Sequence, residues 1–110
     1  MPIDKAGEEA TVSAADGKYC IAVNGETVGL AAVADLDNQR VFYHTEVDER
    51  FGGRGLASIL VGEALKETRS DGKRVVPVCP MVADYIDKHP EFSDITDEPT
   101  PDIIRWAETL

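Results

Sequence analysis

The chain has 110 residues, 43% hydrophobic and 29% charged, which fits one globular domain over residues 1–110 and excludes a disordered chain. Its 21 acids and 11 bases give a net charge of -10, so nucleic acid and membrane are excluded as general partners, because a polyanion needs a basic face. No stretch approaches the ~20 apolar residues of a membrane span, the opening MPIDKAGEEATV lacks a secretion-signal pattern, and two cysteines are too few for a disulfide framework; a cytoplasmic protein with reduced thiols is expected.

The first half of the chain is β-prone. Asp16-Gly17 and Asn24-Gly25 are hairpin signals, since these residues tolerate the positive φ of tight turns. They predict strands over roughly 10–15, 18–23, 27–35 and 40–47, with Asp35-Leu36-Asp37-Asn38 as the third turn. Alternation in the fourth strand places Phe42, His44 and Glu46 on one face and Tyr43, Thr45 and Val47 on the other.

At Arg50 the period changes. After RFGGRG, Leu56, Ile59, Leu60, Ala64, Leu65 and Thr68 recur at three- and four-residue steps, the pattern of an amphipathic helix, which Asp71-Gly72 ends. Residues 74–79 read as a short buried strand, weakened by Pro77. Pro80 can open a second helix with Val82, Tyr85, Ile86 and His89 on one face, and Pro90 ends it. In the tail, residues 93–110, Ile103, Ile104 and Trp106 can pack a final helical turn on the core or on a partner.

The order strand, glycine-rich turn, helix gathers backbone N–H groups and a positive dipole end at one spot, a ready site for phosphate. Gly52, Gly53 and Gly55 carry no side chains to block approach, and no acid occurs from Arg50 to Gly62. Between Arg50 and Arg74 the bases Arg50, Arg54, Lys66, Arg69, Lys73 and Arg74 outnumber the acids Glu63, Glu67 and Asp71. A plain flexible turn is the alternative. A Walker A loop is excluded because no Gly-Lys-Ser or Gly-Lys-Thr occurs, and the dinucleotide fingerprint is only approximated by Gly53, Gly55 and Ser58.

Arg50, Gly53 and Gly55 spell R-x-x-G-x-G after a strand and before a helix. Together, HTEVDERFGGRGLASILVGEAL and VVPVCPMVADYIDKHPEF resemble the small GNAT-like N-acetyltransferases, over residues 17–92. The resemblance implies an α+β fold: a mixed, mostly antiparallel sheet splayed after its fourth strand, two main helices and a C-terminal helical segment. It further implies acetyl-CoA as co-substrate, no metal, and acetyl transfer to the amine of a peptide, protein or small molecule. Carried onto this chain, pantetheine would pair with backbone near Glu46 and Val47. The pyrophosphate would sit on the amides of Phe51, Gly52, Gly53, Arg54, Gly55 and Leu56, with charge from Arg50 and Arg54. Larger members have helices between their first strands; here Asn24-Gly25 leaves no room for them, so an open acceptor cleft is expected, suited to a peptide or protein amine, a polyamine, or a site completed by a second subunit.

Three side chains are candidates for the chemistry. His44 can take the proton of an attacking ammonium, order a water that does so, or serve as a structural strand histidine. Cys79 can accept the acetyl group as thiolate or simply line the thioester pocket. Tyr85, whose spacing to Phe92 resembles the second-helix motif of larger GNATs, can protonate the departing thiolate or sit in the core. Glu46 is a substitute base, and His89 reads as a helix C-terminal cap. The default chemistry is direct attack of an amine on the thioester, with a backbone N–H near Val47 meeting the oxyanion. The rival reading is a non-catalytic acyl-CoA-binding or protein-interaction module.

Overall fold

The computed structural model describes residues 9–52 and 55–110. Gly53 and Arg54, two of the expected phosphate contacts, lie outside the described residues.

Four strands form a meander: β1 (Ala10–Ala15), β2 (Lys18–Val23), β3 (Glu26–Leu36) and β4 (Gln39–Val47). The turns use the predicted residues, with positive φ at Gly17, Asn24, Gly25 and Asp37. A short 3-10 turn, Glu49–Phe51, leads to α1 (Leu56–Ser70), which crosses the sheet and returns the chain as β5 (Arg74–Pro77). The strand order is β1-β2-β3-β4-β5, antiparallel throughout except for the parallel pair β4–β5. After β5 come α2 (Pro80–Lys88), a 3-10 segment (Pro90–Ile95) and α3 (Pro101–Ala107). This is the α+β architecture expected from the sequence. No helix among the described residues is long and apolar enough to cross a membrane.

One face of the sheet carries the main core. Ile21, Ala31 and Phe42 meet Leu56, Leu60, Ala64 and Leu65 of α1, and α2 adds Val82 and Ile86. The helical face read from periodicity is the buried one, because a 3.6-residue repeat keeps those side chains on a single stripe. The opposite face is covered by the tail: Ala107, Ile103 and Trp106 pack on Val41, Val76, Tyr43 and Val78. Thus the tail caps the second face of this chain. A bridge between Val75 and Thr96, with the Asp97 amide donating to the Val75 carbonyl at 2.8 Å, holds the tail along the outer edge of β5.

β5 is shorter than predicted. It ends at Pro77, and Val78 bonds back to its own strand through the Val76 carbonyl. The Val78 amide, next in line to face β4, is thereby withdrawn from the ladder, and Pro77 has no amide hydrogen to offer the other edge, so the strand stops there.

Candidate functional site

The site begins with a break in strand pairing. β4 and β5 pair at only four positions, from Gln39–Arg74 to Phe42–Pro77. The Cys79 amide then donates to the Phe42 carbonyl at 2.8 Å, and Pro80 turns the chain into α2. From Tyr43 to Val47, β4 continues with β3 on one side and, among the described residues, no paired strand on the other. The sheet therefore splays after its fourth strand, and one edge of that strand faces the opening.

The register of β3 against β4 shifts at the same place. Ala32 opposes His44 and Val33 opposes Phe42, so Tyr43 is an extra residue in β4. This is a β-bulge, which bends a strand and re-aims the side chains beyond it. The simple alternation expected for β4 fails here. Phe42 lies in the α1-side core, whereas Tyr43 packs with the α3 cluster. His44 and Glu46 occupy the α3 side together, with Nε2 and Oε2 3.3 Å apart and both side chains more than half exposed. Thr45 and Val47 turn toward the helices: Val47 packs against the main core, and the Cys79 thiol donates to the Thr45 hydroxyl at 3.5 Å.

His44 and Cys79 thus flank the opening from opposite faces of the sheet. Cys79 is buried, at 7% exposure, and is a free thiol, as is Cys20. Sequence patterns do not single out Thr45. Its role as partner to Cys79 depends on the bulge, for which the sequence carries no local signal.

The glycine-rich turn is more occupied than expected. Asp48 caps it: its carboxylate accepts from the Arg50 amide at 2.9 Å and its carbonyl from the Phe51 amide at 2.9 Å. The Gly52 amide donates to the Glu49 carbonyl at 3.1 Å. The amides of Phe51 and Gly52, expected to meet phosphate, are therefore engaged within the turn. What remains is the start of α1. Its N-cap, Gly55, adopts the left-handed conformation (φ 75°) and gives no side-chain cap to the helix. The first-turn amides of Leu56, Ala57 and Ser58 have no intrahelical acceptor and point outward from the positive dipole end.

Among the described residues the local excess of bases is also matched by acids in three dimensions. Arg50 pairs with Asp48 and Glu26, Lys66 with Glu63, Arg69 with Asp94, Lys73 with Asp35 and Arg74 with Asp97. Arg50, expected to add charge to a phosphate site, sits beside Asp48, which raises its pKa while being itself lowered by hydrogen bonds from Arg50. Most of these acids come from segments outside the basic stretch, so linear charge overstates the field at the turn. Backbone dipoles supply what remains among the described residues.

On α2, Tyr85 is half-buried, and its ring stacks on His89 with centroids 3.9 Å apart. Phe92 lies beside it at 6.2 Å, tilted by 42°. Burial pushes the phenol pKa up, with Glu91 and Glu63 adding to the effect. His89 is the C-cap residue of α2, and its Nδ1 lies 2.8 Å from the Tyr85 carbonyl, the capping role read from sequence. Tyr85 also lines the cleft between α1 and α2 with Ser58, Val61 and Met81. Among the described residues no group of three or more His, Cys, Asp or Glu is placed to hold a metal.

Comparison with known proteins identifies this arrangement. Residues 18–95 match the sequence model of the GCN5-related N-acetyl-transferase family. The chain belongs to that family. An NMR solution structure of a GCN5-like putative N-acetyltransferase from Staphylococcus aureus has the same fold, with a TM-score of 0.63 at 16% identity, covering 83% of this chain and 91% of that one. No curated protein matches the sequence. The matched segment spans β2 through the 3-10 segment after α2. It therefore includes the splay, the glycine-rich turn and both main helices, while α3 lies outside it.

Proposed function

We propose that this protein is an acetyl-CoA-dependent N-acetyltransferase that acts on the amine of a peptide, protein or small molecule by direct transfer. The observation that carries the reading is the parting of β4 from β5 beyond Phe42 and Pro77, next to a helix N-terminus whose cap residue is Gly55. A thioester arm can lie against the open edge near Glu46 and Val47, with its pyrophosphate on the amides of Leu56, Ala57 and Ser58. Backbone recognition lets a chain of net charge -10 hold a polyanion, since remote charge is screened within ~8 Å at physiological salt.

In this reading the acceptor approaches from the His44 face. His44 removes a proton from the ammonium, and the nitrogen attacks the thioester carbonyl carbon. A C–N bond forms, the C–S bond breaks, and the sulfur leaves with the electron pair as thiolate. Tyr85, a phenol that is protonated at neutral pH, is the donor to that thiolate. Cys79 lines the pocket: its side chain is buried and its thiol donates to the Thr45 hydroxyl, as a small apolar wall residue with a weak donor would.

Calorimetric titration with acetyl-CoA, with CoA and ATP as controls, tests the reading. Saturable one-to-one binding that prefers acetyl-CoA, weakened in Gly53→Asp, is expected, followed by transfer in an amine screen that His44→Ala slows. No binding at millimolar acetyl-CoA would overturn the proposal. Binding without transfer to any amine would favour the non-catalytic module.

A further inference from the structure

α1 carries a glycine in its interior, at position 62, where glycine is a poorer helix former than alanine. The site is buried and its φ is not in the left-handed region, so neither solvent exposure nor backbone conformation calls for glycine. Space does. A Cβ at Gly62 would stand 2.5 Å from the Tyr85 hydroxyl oxygen and 3.3 Å from the ring carbon that carries it. No hydrogen bond to that hydroxyl occurs among the described residues, although the side chain is half-buried. Tyr85 lines clefts on two sides of this contact, one with Val61 and Met81 and one with Ile59, Gly62 and Glu63. A phenol pressed against a bare stretch of helix, with its O–H uncommitted, can donate to a ligand that enters the cleft.

We infer that Gly62 is a positioning residue: its missing Cβ lets the Tyr85 hydroxyl rest against α1 and point its free O–H toward the bound thioester. The inference rests on the acetyltransferase reading above and extends it to a residue whose effect runs through Tyr85. An alanine would force the hydroxyl back by roughly 1 Å to reach ordinary van der Waals distance, and a misplacement of that size can cost about 10²-fold in rate.

The test is a two-residue cycle of Gly62→Ala and Tyr85→Phe on the full chain, read as kcat, KM for acetyl-CoA and thermal midpoint. The substitution Tyr85→Phe removes the oxygen that the added methyl group would strike, leaving the ring carbon near 3.3 Å. Gly62→Ala is expected to lower kcat about 10²-fold with KM changed far less, and Tyr85→Phe to lower it by a similar factor, the low end for a positioned proton donor. The double variant should be no slower than Tyr85→Phe alone, and the thermal midpoint lost in Gly62→Ala should return. Equal losses from Gly62→Ala in both backgrounds would overturn the inference, because the glycine would then serve helix packing. Full turnover in Gly62→Ala would overturn it as well. A wild-type protein that binds no acetyl-CoA would instead remove the parent reading, and the positioning role with it.

Discussion

The Cys79 amide donates to the Phe42 carbonyl at 2.8 Å, just beyond the end of the β4–β5 ladder. That bond closes the paired half of the sheet and fixes where the other half opens. It also holds Cys79 with its thiol 3.5 Å from the Thr45 hydroxyl, on the helix side of the splay, so the residue forms a wall of the opening.

Under the proposed direct transfer, acetyl groups should not accumulate on the protein. After incubation with radiolabelled acetyl-CoA and denaturing gel filtration, the wild-type chain is expected to carry no label. Cys79→Ala should keep acetyl-CoA affinity within about twofold and lose roughly 1 kcal/mol of stability for a small buried side chain. Stoichiometric label on the wild type that vanishes in Cys79→Ala would show an acyl-enzyme.

The left-handed cap of α1 gives a paired experiment. Gly55→Ala and Gly72→Ala both place a Cβ at positive φ, 75° and 71°, and each should cost about 1–2 kcal/mol. Only Gly55 adjoins the first-turn amides of α1. Gly55→Ala should therefore weaken acetyl-CoA binding measured by calorimetry, while Gly72→Ala, at the far end of the helix, leaves it unchanged. Equal affinities in the two variants would remove α1's start from the binding site.

Acid should act on the tail anchor. Hydrogen bonds from Arg74, then Gln39, lower the pKa of Asp97. A carboxyl held below its unfolded value of about 3.9 stabilises the fold fully above that value, and the contribution is lost as pH falls through the depressed folded value. Asp97→Asn should therefore be less stable than wild type at pH 7 in urea denaturation, with the gap closing below about pH 4. A gap that stays constant as the pH is lowered to about 3 would mean that the charge of Asp97 contributes nothing.

Trp106 is the sole tryptophan and packs in the cluster that covers Val41 and Val76. If α3 is part of the cooperative fold, the fluorescence transition of Trp106 on heating should coincide with the loss of circular dichroism. Trp106→Ala should cost about 2 kcal/mol, less than a fully buried tryptophan. A fluorescence transition well below the main one would show that α3 undocks by itself.

The hairpins at Asp16-Gly17 and Asn24-Gly25, the buried stripe of α1 and the glycine-rich run between strand and helix were legible in the order of residues alone. These are local matters: which φ a residue tolerates and how often an apolar side chain recurs depend on near neighbours. Tertiary structure decided the rest. The bulge at Tyr43 moved His44 away from Phe42 because β3 sets the register of β4. Bases from the Arg50–Arg74 stretch found acids on other segments, the tail found the exposed face of β4 and β5, and Gly62 met the phenol of Tyr85 on the next helix. Each of these is a contact between distant parts of the chain, and the energy that selects it exists only once the sheet and helices have packed.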